Sequence, residues 1–166
     1  MTMDAELLER FRQIGLRLDR EGRFWHQGEP VSHAGIAAAL QRMIDRLEDG
    51  RFVVRMDAER YAYLEVEDAP FQVKSVGVER GPEGPLLFLT LSDGSEEELR
   101  YGSLRVGAED ALYCEVKDGR FEARFSRAAS RALGELIEAE EGEERFCLRA
   151  AGQLWPIRTG DPGASP

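Results

Sequence analysis

Residues 16–26 have the sequence LRLDREGRFWH, and this stretch decides the fold of the first half of the chain. Leu16 and Leu18 alternate with polar residues, which is typical of a strand with one buried face. The polar run at residues 19–22 ends in glycine and predicts a turn. Residues 23–26 then predict a returning strand, so we expect a β-hairpin here.

A short helix precedes this hairpin, and a longer helix follows it. Apolar residues at helical spacing indicate the first helix, and Gly15 ends it. These residues are Leu7, Leu8, Phe11 and Ile14. Ser32 is a good N-cap for the second helix, and Gly50 closes that helix. The apolar face of the second helix consists of Ile36, Leu40, Met43, Ile44 and Leu47. Residues 51–56 and 61–66 predict two further strands.

The middle of the chain predicts a second pair of strands. Asp68-Ala69-Pro70-Phe71 interrupts the strand pattern, because proline has no amide hydrogen and favours extended geometry in the residue before it. Residues 71–78 resume the pattern, and the turn residues 81–85 lead into a strand at 86–91. We expect these two strands to pair antiparallel. Two short strands follow, at residues 96–100 and 104–106.

The second half of the chain restates the order of the first half. Residues 112–122 predict a hairpin with its turn at Lys117-Asp118-Gly119. Ser126 then predicts the N-cap of a helix that ends before Gly142. The apolar face of this helix consists of Ala129, Leu133, Leu136 and Ile137. An Arg-Phe strand at residues 145–148 and a last strand with Leu154, Trp155 and Ile157 follow. The alternative is a chance recurrence of common elements.

This recurrence predicts an α+β fold of two related halves. Each half would contain a β-hairpin, a helix and a further β-hairpin, with antiparallel sheets. The predicted segments are an N-terminal helix at residues 1–15, a first repeat at 16–80, a connecting hairpin region at 81–111, a second repeat at 112–157 and a flexible tail at 158–166. The tail has two glycines, two prolines and little to bury, so we expect it to be removable.

The composition argues against several classes of partner. The 166-residue chain carries 22 basic and 32 acidic residues, which gives a net charge of −10. Such a field repels phosphate backbones and anionic lipid, so we expect neither a nucleic-acid nor a membrane partner. No apolar run approaches the roughly 18 residues of a membrane span. The acidic start of the sequence differs from a signal peptide, and we therefore expect a cytoplasmic protein.

Two longer motifs resemble a known family. The pattern LxLDxxGxxWxxGxPV occupies residues 16–31, and LxVxDAPF occupies residues 64–71. Both resemble the bacterial family known as domain of unknown function 1285. Residues 119–128, GRFEARFSRA, and residues 152–157, GQLWPI, are similar to that family's second repeat and C-terminal strand. The resemblance implies two similar α+β halves, no established reaction and a conjectured role in binding or signalling.

Few residues carry recognisable chemistry, and each also has a structural explanation. Ser32 beside His33 suggests a nucleophile with its base, yet a helix N-cap explains Ser32 as well. His26, His33 and the two cysteines show no metal-ligand spacing. Glu65 and Glu67 share a strand face and could do acid/base work. We predict no catalytic residue, no metal and no cofactor.

Two further groups have more than one interpretation. Arg124, Arg127 and Arg131 could bind an anion at the start of the second repeat's helix, or they could form a solvated face. Cys114 and Cys147 lie in strand-like apolar runs. We expect both cysteines to be buried thiols rather than a disulfide.

These observations predict a binding or regulatory module, such as a small-molecule sensor in signal transduction, with an unknown small molecule or protein as partner. The alternatives are a hydrolase that uses carboxylates in the cleft between the repeats, and a protein-interaction adaptor. The oligomeric state stays open. Because the seam between duplicated units often forms pockets, we place the ligand-binding residues there: Asp68, Phe71, Ser32, His33 and Trp25. Asp68 either caps backbone amides or faces the ligand.

Overall fold

A computed structural model describes residues 5–140 and 145–160 of the chain. The chain divides into two units, Met1–Pro70 and Phe71–Pro166, which we call unit 1 and unit 2. Helices are few and strands predominate, with parallel and antiparallel pairs, so the α+β prediction is confirmed. No helix in the two described stretches is long and apolar enough to cross a bilayer.

From residue 5 onward, unit 1 contains two helices and a six-stranded sheet. In chain order its elements are α1 (Ala5–Arg12), β1 (Leu16–Leu18), β2 (Phe24–His26), β3 (Glu29–Pro30), α2 (Ala34–Arg42), β4 (Ile44–Arg46), β5 (Phe52–Arg55) and β6 (Tyr61–Val66). The strands lie in the order β3-β2-β1-β6-β5-β4. The predicted hairpin is confirmed, since Leu16 pairs with His26 and Leu18 with Phe24. Leu16, Leu18 and Phe24 are buried and form part of the core.

The sheet of unit 1 is mixed rather than antiparallel. Strands β1 and β6 run parallel, with Leu16 beside Leu64 and Leu18 beside Val66. The expectation of antiparallel sheets is therefore wrong at this pair. A parallel pair requires a long crossover connection, and here β2, β3, α2, β4 and β5 together supply it.

Helix α2 ends earlier than the sequence predicted. The apolar spacing predicted a helix begun by Ser32 and closed by Gly50, whereas α2 ends at Arg42. Ile44–Arg46 forms β4 instead and pairs antiparallel with β5. Ile44 is buried in this arrangement. The prediction was wrong because a short apolar run can be buried by a strand as well as by a helix.

The N-cap of α2 is His33 rather than Ser32. The Nδ1 atom of His33 accepts a hydrogen bond from the backbone N–H of Ile36 at 3.2 Å. Ser32 is exposed, and its side chain makes no hydrogen bond with the part of the chain that the structure describes. The cap predicted in the second half is confirmed, because Ser126 Oγ accepts a hydrogen bond from the N–H of Ala129 at 3.2 Å.

In its described residues, unit 2 contains one α-helix, two short 3-10 helices at Tyr101–Ser103 and Ala108–Asp110, and two sheets. Its elements are β7 (Phe71–Arg80), β8 (Pro85–Leu91), β9 (Glu96–Glu98), β10 (Arg105–Val106), β11 (Leu112–Val116), β12 (Phe121–Phe125), α3 (Arg127–Gly134), β13 (Ile137–Ala139), β14 (Phe146–Ala150), β15 (Gln153–Pro156) and β16 (Arg158–Thr159). One sheet has the order β16-β10-β11-β12-β7-β8-β9, and the other has the order β13-β14-β15. Strands β7 and β8 pair antiparallel as predicted. So do β11 and β12.

The order of elements recurs in the two units, but the strand pairing differs. In unit 1 the strands after the helix join the hairpin sheet through the parallel β1–β6 pair. In unit 2 the strands β13, β14 and β15 form a sheet of their own. Strand β10 pairs with β11, as β6 pairs with β1 in unit 1. The β11 edge of the hairpin in unit 2 is therefore already occupied. The prediction of two related halves is therefore not confirmed.

Two boundaries predicted in unit 2 differ from the structure. The helix predicted to reach Gly142 ends at Gly134, because residues 137–139 pair with β14 instead. The tail predicted at 158–166 begins with a strand, since Arg158–Thr159 pairs parallel with β10. The rest of that predicted tail, from residue 161 onward, lies outside the described residues.

The two cysteines are buried, free thiols, as expected. Cys114 lies in β11 and Cys147 in β14. Burial, together with nearby carboxylates such as Glu97, raises the pKa of the Cys114 thiol far above its ordinary value. A thiol with so high a pKa is a poor nucleophile at neutral pH.

Asp19 organises the turn between β1 and β2. Its Oδ1 atom accepts the backbone N–H groups of Glu21 at 3.0 Å and Arg23 at 2.9 Å. Its Oδ2 atom accepts Nε1–H of Trp25 at 2.8 Å and Nε–H of Arg23 at 3.2 Å. Burial raises the pKa of Asp19, but these hydrogen bonds and the Arg23 charge outweigh burial and hold the pKa below its ordinary value of 3.8. The carboxylate is therefore ionised while it is only 5% exposed.

Replacing Asp19 with asparagine should lower the free energy of unfolding by about 1–3 kcal/mol at neutral pH, because an amide nitrogen cannot accept the bonds that Oδ2 accepts. A lowered folded pKa contributes stability above the unfolded value of about 3.9, and this contribution is lost as the pH falls through the folded value. The difference in the free energy of unfolding between the wild type and Asp19→Asn, measured by urea unfolding, should therefore decrease below about pH 4. An equal difference at neutral and acidic pH would contradict this role, and Glu79→Gln, at an exposed site, is the control.

The sequence predicted two serine N-caps, Ser32 and Ser126, and these residues allow a matched pair of substitutions. Ser126→Ala should cost about 1 kcal/mol of stability, because the N–H of Ala129 loses its acceptor. Ser32→Ala should change stability by less than about 0.5 kcal/mol, as substitutions at ordinary surface sites do. Thermal and urea unfolding measure both effects. Equal losses from the two substitutions would show that Ser32 also caps α2 in solution.

Candidate functional site

An open groove of about 410 Å³ lies in unit 1, where the end of α1 meets the strands β1, β2 and β6. Its lining combines two aromatic rings, two side-chain amides, an arginine and a glutamate. The lining residues are Gln13, Gly15, Leu16, Arg17, Trp25, Gln27, Gly28, Tyr63 and Glu65. Polar groups around aromatic surface are typical of sites for small molecules.

Trp25 is the most firmly positioned of the groove residues. Alternation along β2 buries Phe24 in the core and turns Trp25 to the opposite face. On that face Trp25 lies opposite Arg17 of β1, whose guanidinium carbon is 5.1 Å from the centre of the indole ring. The hydrogen bond from Nε1 to Asp19 fixes the ring at its other end. The indole is therefore held by two contacts before any ligand arrives.

A tight turn between β2 and β3 forms one wall of the groove. Only Gln27 and Gly28 separate His26 from its partner Glu29. Both turn residues have positive φ, 51° for Gln27 and 80° for Gly28, as a two-residue hairpin of type I′ requires. The N–H of Gln27 donates to the carbonyl of Gly15 at 2.9 Å. This bond joins the turn to the segment that follows α1.

Tyr63 connects helix α1 to the sheet. Its hydroxyl lies 3.1 Å from Oε1 and 3.3 Å from Oε2 of Glu9 in α1. The guanidinium carbon of Arg51 lies 4.5 Å from the centre of the Tyr63 ring. Gln13, just beyond α1, donates from Nε2 to Glu9 Oε1 at 3.2 Å. The wall of the groove that α1 provides thus depends on side-chain hydrogen bonds to Glu9.

The two charged groups of the groove differ in their partners. Arg17 Nη1 donates to Oε2 of Glu67 at 3.3 Å. Glu65 lies beside Arg17 in the parallel register of β1 and β6, and it is exposed. Within residues 5–140 and 145–160, Glu65 forms no ion pair or hydrogen bond through its side chain. Its carboxylate is therefore available to a ligand.

Of the five residues that the sequence offered for a site, Trp25 lines the groove and the other four do not. Ser32 and His33 lie at the start of α2, and Asp68 is exposed beyond the end of β6. Phe71 is buried in unit 2, with its ring centre 5.2 Å from that of Phe121. The predicted set is thus divided between the core of one unit and the surface of the other.

Sequence reasoning missed most of the groove. Gln13, Gln27 and Tyr63 were not singled out, and Glu65 was considered only for acid/base work with Glu67. A signal for Gln27 was present, because a two-residue loop ending in glycine between two strands indicates a type I′ turn. No pattern in the sequence indicates that the end of α1 lies against β6.

Several carboxyl groups have perturbed pKa values, and all of these shifts are downward. Hydrogen bonds from Arg51 and Arg60 lower the pKa values of Asp49 and Asp57, respectively. Burial raises the pKa of Asp93, but hydrogen bonds from Lys117 and Ser95 outweigh it. These groups are ionised bases with partners rather than proton donors near neutral pH. Among the described residues, no three His, Cys, Asp or Glu side chains lie together as a metal site would require.

Comparison with known proteins identifies two similar solved structures. A DUF1285 family protein from Silicibacter pomeroyi DSS-3 is 25% identical, with a TM-score of 0.72 over 89% of this chain and 81% of that chain. A DUF1285 family protein from Shewanella baltica OS155 is 17% identical, with a TM-score of 0.56 over 73% of this chain and 91% of that chain. No protein-family model and no curated protein matches the chain. The resemblance to DUF1285 proteins that the motifs indicated is confirmed.

Proposed function

We propose that this protein is a binding module and that the groove beside Trp25 takes a small molecule. The observation that carries the proposal is the juxtaposition of a fixed indole ring with polar groups that have hydrogen-bonding capacity left. Trp25 is held by Asp19 at 2.8 Å, while Gln27 and the exposed Glu65 line the same groove. Fixed aromatic surface reduces the entropy that a binding site loses on association.

The position of the groove supports a regulatory role. One of its walls is the end of α1, which is tied to the sheet through Glu9 and Tyr63. Its other walls belong to the sheet itself. A ligand that contacts Gln13 and Trp25 together would stabilise the docked position of α1. The position of α1 would then report whether the groove holds a ligand, as a sensor in signal transduction requires.

A binding role is favoured over the hydrolase alternative for a chemical reason. A hydrolytic carboxyl acid needs a raised pKa, whereas the carboxyl groups with perturbed pKa values among the described residues have lowered ones. The proposal includes a cytoplasmic location and excludes nucleic-acid and membrane partners. The net charge of −10 supports the exclusion of nucleic acids and anionic membranes, because it repels other polyanions.

Tryptophan fluorescence tests the proposal directly, because the chain has two tryptophans. Trp155 belongs to β15 and does not line the groove, so Trp155→Phe leaves Trp25 as the sole indole reporter. Screening this variant against nucleotides, amino acids, sugars and amines should yield compounds that change Trp25 emission. The same compounds should raise the melting temperature, since a ligand at about 100 times its Kd adds roughly 2.7 kcal/mol. Stabilising compounds that leave Trp25 emission unchanged would place the site elsewhere.

A groove-filling substitution provides the matched control for that screen. Gln13→Phe adds an aromatic ring at an exposed position that lines the groove. Ala38→Phe adds the same ring to an exposed, uncharged position of α2 outside it. Gln13→Phe should weaken binding of any compound found by at least tenfold, and Ala38→Phe should not. Equal effects of the two substitutions would mean that the compounds bind outside the groove.

A further inference from the structure

We propose that the ligand of the groove is an organic cation, an ammonium group attached to an apolar or aromatic body. This inference rests on the proposed function, because it names the chemical class that the same groove selects. It follows from the Glu65 carboxylate, which makes no side-chain bond to the described residues, and from the aromatic rings of the lining.

The charged side chains of the groove favour a cation. Arg17 and Glu65 are the charged side chains that line the groove. The positive charge of Arg17 is already met by Glu67 at 3.3 Å, and Arg20 approaches the same carboxylate at 3.5 Å. Glu65 makes no side-chain bond to the described residues. Glu65 is therefore the charged side chain of the groove that is open to a ligand, and it would attract a cation and repel an anion.

The aromatic rings of the groove also favour a cation. Indole and phenol faces attract cations within about 6 Å of the ring centre. Both rings of the groove already attract guanidinium groups of the chain, Arg17 at Trp25 and Arg51 at Tyr63. Their environment therefore suits a positive group more than a negative one. The net charge of −10 further concentrates cations near the protein.

Three probes that share one ring and differ in their head group separate charge from shape. 2-Phenylethylamine is cationic, 2-phenylethanol is neutral and 3-phenylpropionate is anionic at neutral pH. Each is titrated into the Trp155→Phe protein while Trp25 emission is recorded. We expect the amine to bind at least about fivefold more tightly than the alcohol, and the propionate more weakly than either. High salt should reduce the advantage of the amine over the alcohol.

Two substitutions assign this preference to one carboxylate. Glu65→Gln keeps the size of the side chain and removes its charge, so it should abolish the advantage of the amine over the alcohol. Glu48→Gln makes the same change of net charge at an exposed residue of unit 1 that does not line the groove. The amine should keep its advantage in that control. A loss of equal size in both variants would mean that net charge, not Glu65, selects the cation.

The outcomes distinguish this inference from the proposed function. If the alcohol or the propionate changes Trp25 emission at the same or lower concentration than the amine, the groove binds small molecules but the cation assignment is overturned. If none of the three probes changes Trp25 emission, the cation assignment is overturned as well. The proposed function is then judged separately, by the broad screen and the Gln13→Phe variant.

Discussion

The hydrogen bonds accepted by the Asp19 carboxylate are the interaction on which the first hairpin and the groove both depend. One oxygen closes the turn through the backbone N–H groups of Glu21 and Arg23, and the other holds the indole of Trp25. A buried carboxylate is costly unless it is bonded in this way. The same side chain therefore sets the shape of the turn and the orientation of the aromatic ring that lines the groove.

The corresponding hairpin of unit 2 is fixed by a different device. Lys117 and Asp118 adopt positive φ in the turn between β11 and β12. There Lys117 Nζ donates to Asp93 Oδ2 and to Ser95 Oγ, both at 2.7 Å. These acceptors belong to the turn between β8 and β9. Side-chain hydrogen bonds therefore join this turn to the turn between β11 and β12. Similar orders of elements in the two units are thus stabilised by unrelated interactions, and the interaction in unit 1 also holds Trp25.

The local elements could be predicted from the sequence, whereas their pairing could not. Alternation at Leu16 and Leu18 and the turn after them sufficed for the first hairpin, and Ser126 sufficed for a helix start. The parallel β1–β6 pair depends on residues far apart in the chain, which no local pattern records. The local sequence is compatible with burial of Ile44 by a helix or by a strand. In the structure Ile44 lies in a strand because it pairs with β5. The groove was missed for the same reason, because Gln13 and Tyr63 meet only through the docking of α1.

The central claim is that a ligand binds beside Trp25 in unit 1. Two-dimensional ¹⁵N–¹H spectroscopy tests this claim most directly, because the two indole N–H groups give separate signals. The indole of Trp25 donates to Asp19, and that of Trp155 donates to the carbonyl of Ala150 at 3.0 Å. On titration with a compound that stabilises the protein, the account predicts that the Trp25 indole signal shifts while the Trp155 signal stays in place. A shift of the Trp155 signal alone, or of neither signal, would contradict the account.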